Sequence, residues 1–142
     1  MRPQFPKRGA HDNAPTPQTL YDIIVNRLGF TDICQNPKRF DATASTWPDR
    51  SYCNPPFRNK GPFVQKAIES NRLGRQVLLY LPLDPTTKWF KSLYRANALV
   101  LIFMKRMGRS KYPHALYFLR DFRAPQLVLI EDVQDVIRYL NP

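Results

Sequence analysis

The chain has 142 residues and carries 22 lysine and arginine residues against 11 aspartate and glutamate residues, a formal charge of +11 at pH 7. No apolar run reaches the ~18 residues that a membrane span requires, and the basic N-terminus lacks the apolar segment of a signal peptide, so we expect one intracellular domain. The charge favours a polyanionic partner, nucleic acid first, although a basic protein without such a partner has the same composition.

Residues 1–15 form the first predicted unit, and residues 16–142 form the second. The first contains Arg2, Lys7 and Arg8 among several prolines and few apolar residues, which is typical of an extended arm. Such an arm binds a polyanion or another protein subunit, and a solvated tail has the same composition. The second unit is predicted to be a folded α/β domain.

The domain begins with a helix and a short strand. Thr16 is predicted to cap a helix that starts at Pro17, and apolar residues then recur at helical spacing until Gly29. Residues 30–34 are predicted to form a short buried strand. Cys34 and Cys53 each end a predicted buried strand, so we expect two core thiols rather than a disulfide or a metal site.

The stretch Ser51–Phe57 is the part of the sequence that points to a reaction. Pro55 and Pro56 end the strand after Cys53 and hold Asn54 in one orientation. The Asn54 amide and the Pro55 carbonyl could bind a planar amine such as that of adenine, with Phe57 stacked on the ring. An irregular turn with a buried Phe57 is the alternative.

Further elements follow in an alternating order that predicts an open α/β sheet. Gly61 and Pro62 open a helix, residues 76–81 form a continuous apolar strand, and Asp84–Thr87 supply a turn and cap for the next helix. Residues 98–103 and 115–119 are predicted strands, residues 127–130 a possible edge strand, and residues 132–140 a closing helix. The Asn54 motif then lies at the carboxyl end of a strand, where open α/β sheets bind ligands.

Basic residues cluster at two places. Residues 105–112 contain Lys105, Arg106, Arg109 and Lys111, and Arg58 and Lys60 follow the Asn54 motif. We predict that these six side chains contact nucleic-acid phosphates. A solvated hairpin connection is the alternative for residues 105–112. His114, beside Pro113, is predicted to be structural.

The tetrapeptide Asn54–Phe57 resembles the signature of amino-methylating DNA methyltransferases, and most closely that of the phage-type DNA N-6-adenine methyltransferases. The similarity extends from about Thr16 to Leu119. The other matching positions are Thr16-Pro17, Gly29-Phe30, Asp32, Trp47, Pro82, Thr87, Trp89-Phe90 and Pro113.

This resemblance implies a fold and an activity. The fold would be a reduced Rossmann-like methyltransferase three-layer sandwich, with a mixed sheet and an antiparallel last strand at residues 115–119. The activity would be S-adenosylmethionine-dependent methylation of adenine N6 in DNA. Catalytic roles fall to Asn54, Pro55, Pro56 and Phe57, and cofactor binding to Thr16, Asp32 and Cys34. Trp89 and Phe90 are predicted to be core residues rather than ligand contacts.

The sequence departs from the family pattern at three positions. Thr46 stands where relatives have an acidic residue before the tryptophan, with Asp41 and Asp49 nearby, and Asp84 and Thr86 stand where relatives have an arginine and an aspartate. A second hypothesis therefore stays open. It is an inactive methyltransferase-like basic protein with a nucleic-acid-binding or structural role in a viral or nucleoprotein assembly, either inside a host cell or in a virion.

Overall fold

The computed structural model describes residues 15–34, 42–56, 60–108 and 112–141. The helices are α1 (Gln18–Tyr21, continued by a π-helical segment Asp22–Arg27), α2 (Lys60–Arg72), α3 (Lys88–Arg95) and α4 (Val136–Leu140, preceded by a 3-10 turn Val133–Asp135). The strands are β1 (Thr31–Asp32), β2 (Ser51–Cys53), β3 (Val77–Pro82), β4 (Leu99–Phe103), β5 (His114–Leu119) and β6 (Gln126–Ile130). In the described part of the chain, no helix is long and apolar enough to cross a membrane.

The six strands form one mixed sheet in the order β1-β2-β3-β5-β4-β6. β1, β2 and β3 are parallel to one another, and β6 is parallel to β4. β5 runs antiparallel to both of its neighbours, β3 and β4. The predicted α/β class and the antiparallel direction of residues 115–119 are confirmed. β5 is not the last strand of the chain, because β6 comes after it in sequence and pairs with β4 at the edge of the sheet.

Helices cover both faces of the sheet, which makes three layers. On β3, Leu79 and Leu81 face the core under α2 and α3, whereas Leu78 and Tyr80 face the core under α1 and α4. This alternation is the period-2 geometry of a strand that is buried on both faces. The prediction of a strand covered on both faces at residues 76–81 is therefore confirmed, with β3 at Val77–Pro82.

Phe90 is a core residue, as predicted, and Trp89 is half-buried and packs against the same core. Both rings meet the ring of Tyr117 edge-on, with centroids 5.9 and 5.8 Å away respectively. Tyr117 also donates its hydroxyl to the carbonyl of Pro82 at 2.9 Å. α3 is thereby fixed against β5 at the end where β3 stops.

The helix starts agree with the sequence only in part. Thr87 caps α3 by accepting the Phe90 N–H at 3.2 Å, as predicted. The predicted cap at Thr16 is wrong, because Pro17 occupies the N-cap position of α1 and no side chain caps that helix. The Thr16 hydroxyl instead lies toward β2, where it shares a hydrogen bond with the Tyr52 hydroxyl.

Arg50 joins three elements at the amino end of β2. Its guanidinium donates to the Gln76 side chain at 2.7 Å and to the carbonyls of Leu28 and Leu140 at 3.0 and 3.1 Å. The same group lies 4.0 Å above the Phe30 ring. One planar cation thus connects the end of the first helix, the start of β3 and the end of α4.

Replacing this cation should destabilise the fold. We expect Arg50→Lys to lower the free energy of unfolding by about 1.5–3 kcal/mol, because an ammonium cannot make the forked set of charged hydrogen bonds. Urea unfolding measures the change. Arg95→Lys, at an exposed position on α3, is the control and should change stability by less than about 0.5 kcal/mol. Equal effects of the two variants would contradict this role for Arg50.

The prediction of two separate core thiols is wrong. Cys34 and Cys53 form a disulfide across 19 residues, with their Cα atoms 5.2 Å apart. The spacing of the cysteines along the chain did not indicate this pairing. It depends on the parallel alignment of β1 with β2, which brings the two strand ends together.

Breaking the disulfide should lower stability without unfolding the sheet. Closing a loop of this length stabilises a protein by about 3 kcal/mol through the unfolded state. We therefore expect a loss of that size when the oxidised protein is reduced, measured by urea unfolding with and without dithiothreitol. Cys34→Ser is the control, because reductant should not affect its unfolding. Two reactive thiols in unfolded protein that was never reduced would contradict the bond.

Candidate active site at the carboxyl edge of the sheet

The residues predicted to bind cofactor and base lie at one edge of the sheet. β1 ends at Asp32 and β2 ends at Cys53, so Asp32 and Asn54 emerge from neighbouring parallel strands on the same side. β5 begins at this edge with His114, which pairs with Pro82 at the end of β3. The structure therefore brings Thr16, Asp32, Cys34 and Asn54 together.

Asn54 is half-buried, and two prolines follow it, the first of them buried. Its amide nitrogen donates to the Thr16 hydroxyl at 3.4 Å, a long hydrogen bond that spans 38 residues of sequence. The Thr16 hydroxyl also shares a hydrogen bond with the Tyr52 hydroxyl. A path of polar contacts thus runs from Tyr52 through Thr16 to Asn54.

Tyr52 is a site residue that sequence reasoning missed. Its side chain is buried, and that burial raises the pKa of the phenol well above its usual range, with the nearby Asp32 charge raising it further and the Thr16 hydrogen bond opposing the shift. The phenol is therefore neutral at physiological pH. Strand parity was the available signal, since Tyr52 must point to the face opposite Cys53, toward the start of α1.

Asp32 provides the carboxylate of this edge. One of its oxygens accepts the Cys34 N–H at 3.0 Å, and the Tyr21 hydroxyl also hydrogen-bonds to it. Burial, followed by the contact with Asp32, raises the pKa of Tyr21. A carboxylate has room for further donors beyond these two, so Asp32 can also accept from a cationic ligand.

His114 and Tyr80 form a stacked pair beside the site. Their ring centroids lie 4.7 Å apart, and His114 Nδ1 hydrogen-bonds to the Tyr112 carbonyl at 2.9 Å. Burial lowers the pKa of His114, the backbone contact opposes this, and the charge of Lys60 lowers it again. The imidazole is therefore neutral at pH 7 and packs in the sheet, as the structural interpretation predicted. The hydroxyl of Tyr80 is buried and has no hydrogen-bond partner in the described region.

The basic residues occupy different environments. Lys105 and Arg106 are exposed directly after β4, on the same edge as Asn54. A Cβ atom added to Gly108 would lie 3.2 Å from Pro17, so this loop passes beside the start of α1. Lys60, at the start of α2, is buried, which makes it a weaker candidate for a phosphate contact than the two exposed cations.

Several predicted residues lie outside the described part of the chain. These are Phe57, Arg58, Arg109, Lys111 and residues 1–14 of the predicted arm. Their predicted roles stay predictions.

Among the described residues, neither the positions that depart from the family pattern nor Asp49 supply the acid that relatives have before the tryptophan. Thr46 is exposed, and Asp49 lies at the opposite edge of the sheet, where it accepts the Gln76 N–H at 2.7 Å. Asp84 accepts from the backbone and hydroxyl of Thr86 at 3.1 and 2.6 Å, so it closes its own turn. Those hydrogen bonds lower the pKa of Asp84. Asp41 is outside the described residues.

Two surface cavities lie away from this edge. One is on the outer side of α1, beside Asp22 and Asn26. The other is at the amino edge of the sheet and is lined by Arg72, Arg75 and Arg120, among other polar residues. Neither of these two cavities is lined by Asn54. In the described part of the chain, the candidate site is defined by the ends of the strands.

A comparison with protein-family models gives one match. The model described as DNA N-6-adenine-methyltransferase (Dam) matches residues 7–128, which includes Asp32, the Asn54 motif and the basic loop after β4. No significant match was found among curated proteins or among solved structures. The matched region covers most of the chain and all six strands except the end of β6. The chain therefore belongs to the DNA N-6-adenine-methyltransferase (Dam) family.

Proposed function

We propose that this protein transfers a methyl group from S-adenosylmethionine to the exocyclic amine of adenine in DNA. The observation that carries the proposal is the position of Asn54. In a chain of the Dam family, it lies at the carboxyl end of β2, is followed by two prolines and contacts Thr16. Activity of this class is general to the family, whereas cofactor use and catalysis by this chain are our inference.

The Asn54 carboxamide would orient the amine for attack. Its nitrogen is directed at Thr16, so the oxygen is the opposite end of the same planar group. That oxygen and the Pro55 carbonyl would accept the two amine hydrogens and raise the electron density on the nitrogen. As the new N–C bond formed, the bond between the methyl carbon and the sulfonium sulfur would break and leave a neutral thioether. The nitrogen would then lose one proton to solvent, because neither acceptor is basic enough to keep it.

The residues of this edge fit a cationic cofactor. S-adenosylmethionine supplies a methyl group bonded to a positively charged sulfur, and it also carries an ammonium group. Asp32 provides a carboxylate with remaining acceptor capacity, and the aromatic rings of Tyr21 and Tyr52 meet edge-on beside it at 6.5 Å. We infer that Thr16, Asp32 and the main chain near Cys34 line the cofactor site, with the Cys34 sulfur held in the disulfide.

The DNA would approach the same edge. An adenine must leave the base stack to reach Asn54, and Phe57 is proposed to stack on the extruded base. Lys105 and Arg106 are exposed beside this edge and would contact phosphates, together with Arg58, Lys60, Arg109 and Lys111. We also infer an intracellular location, because the proposed substrate is DNA, and a contribution of the N-terminal arm to binding DNA or another subunit.

Removing the Asn54 amide should remove activity and leave the fold intact. We expect Asn54→Ala to lower the rate of methyl transfer at least about a hundredfold, because one acceptor aimed at the reacting amine is lost. Transfer of radiolabelled methyl to an adenine-containing duplex measures the rate. Asn26→Ala, on the exposed side of the first helix, is the control and should keep the full rate. Equal rates for Asn54→Ala and wild type would refute the assignment.

A second candidate function has its own support. Among the described residues, Asp49 does not replace the acidic residue that relatives have before the tryptophan, because it lies at the amino edge of the sheet. Asp84 and Thr86, which stand in place of an arginine and an aspartate, hydrogen-bond to each other. These features favour a basic protein that keeps the methyltransferase fold but has lost the cofactor site. Such a protein would serve as a nucleic-acid-binding or structural component of a viral or nucleoprotein assembly.

Cofactor titration separates the two candidates. If the enzyme proposal holds, calorimetry should show saturable binding of S-adenosylmethionine, weakened at least about tenfold in Asp32→Asn because a charged hydrogen bond is weakened. The titration is run on oxidised and on reduced protein, since an intracellular environment keeps most thiols reduced. Salt-sensitive DNA binding without any cofactor heat, in protein with an intact circular dichroism spectrum, would favour the structural role.

A further inference from the structure

Among the described strands, β6 lies at the edge of the sheet, and its outer side is apolar with backbone groups that pair with no other described strand. Leu127 and Leu129 are 58 and 63% exposed, although both lie in the middle of a regular strand. Their neighbours Val128 and Ile130 point to the other face and pack in the core under α1 and α4. The two leucines therefore extend the α2–α3 face of the sheet beyond the helices that cover it.

The backbone of these two leucines also faces outward. The Gln126 N–H donates to the Ala98 carbonyl, and the Ile130 carbonyl accepts from Met104, so residues 126 and 130 use their backbone groups on β4. In a parallel pair every second residue bonds to the same neighbour, which leaves the N–H and C=O groups of Leu127 and Leu129 for a further strand. A long edge of this kind pairs readily with another chain.

We propose that β6 pairs antiparallel with β6 of a second copy of this chain, around a two-fold axis at Val128. Leu127 of each copy then lies opposite Leu129 of the other, in the position where antiparallel residues exchange both backbone hydrogen bonds. The four leucine side chains meet on one face. A two-fold contact satisfies both edges at once and closes the assembly, whereas a head-to-tail contact would continue into a fibre.

Charge supports a second copy of this chain in the antiparallel direction. The five residues of β6 carry no charge, which is unusual for an exposed edge in a protein of formal charge +11. The exposed Arg123 precedes the strand, and the exposed Glu131 follows it. Antiparallel pairing around Val128 places Glu131 of one copy opposite Pro125 of the other, so that Glu131 and Arg123 are diagonal neighbours within reach of two long side chains. A parallel arrangement would place like charges together.

The dimer would also set the direction of the two sites. β6 is parallel to β4, so its carboxyl end lies at the edge that carries the candidate site. Antiparallel pairing therefore places the two candidate sites at opposite ends of a continuous sheet. The sites would address separate segments of DNA and would not share one.

Sedimentation equilibrium over a wide range of protein concentration tests the proposal. We expect wild type to dimerise, and Leu127→Lys with Leu129→Lys to raise the dimer dissociation constant at least about a hundredfold, because exposed leucines that become buried are replaced by charges. Leu73→Lys is the matched control, since Leu73 is 62% exposed in the turn after α2 and the variant should dimerise as wild type does. Monomeric wild type at all concentrations, or equal weakening by the control, would overturn the proposal.

A charge exchange tests the direction of pairing. Arg123→Glu and Glu131→Arg should each weaken the dimer about fivefold, because each places like charges at diagonal positions across the two strands. The variant that carries both changes should recover the wild-type dissociation constant. Failure of the double change to restore dimerisation would rule out the antiparallel arrangement, and circular dichroism establishes that each variant is folded.

Discussion

The antiparallel strand β5 is the constraint on which the arrangement of the sheet depends. It is buried along its whole length and pairs with β3 on one side and β4 on the other. Without it, the parallel group β1-β2-β3 and the parallel pair β4-β6 would have no common neighbour. Because β5 runs in the opposite direction, the loop that enters it returns to the edge where Asn54 lies. The strand therefore joins the two groups and also brings the basic loop to the candidate site.

Two further contacts adjust this edge at short range. The Cys34–Cys53 disulfide fixes the end of β2 to the chain that leaves β1, and the hydroxyls of Tyr52 and Thr16 position the Asn54 amide. The disulfide depends on the redox state of the surroundings, whereas the hydroxyl contacts do not, because hydroxyl groups take no part in thiol–disulfide exchange. The raised pKa of Tyr52 also keeps its phenol neutral at physiological pH. Asn54 is thus held by a disulfide, which a reducing environment can break, and by hydroxyl contacts, which such an environment leaves intact.

Much of the fold could be predicted from local pattern. Local sequence alone predicted three features that the structure contains. These are the strand at β3, the helix cap at Thr87 and the end of β2 before the two prolines that follow Asn54. The errors concern contacts between distant parts of the chain. Thr16 was predicted to cap α1, but its hydroxyl hydrogen-bonds to Tyr52 on β2 instead. The disulfide depends on the register between β1 and β2, which no local sequence pattern determines.

The candidate site shows the same division. The position of the motif at a strand end followed from the order of elements, and the family resemblance supplied Thr16, Asp32 and Cys34 as cofactor-binding residues. The contact between Tyr52 and Thr16 depends on which face of the three-residue strand β2 packs toward α1. The acid at Asp49 was excluded only by its position at the amino end of that strand. Residues only a few positions apart in sequence can lie at opposite edges of a sheet. Sequence spacing alone therefore could not show whether Asp49 lies in the candidate site.

The position of β5 has a consequence for the order in which the protein is made. A ribosome synthesises β1, β2 and β3 well before β5, yet β5 is the neighbour that β3 requires on its open side. The hairpin of β4 and β5 is local and forms quickly, whereas the contact between Thr16 and Asn54 closes a longer loop at a greater entropic cost. Until residue 119 has left the ribosome, the nascent chain carries a hydrophobic strand edge that no other part of itself can cover. In that interval the first half of the protein exposes the apolar surface and unpaired strand edge that make incomplete chains prone to aggregate.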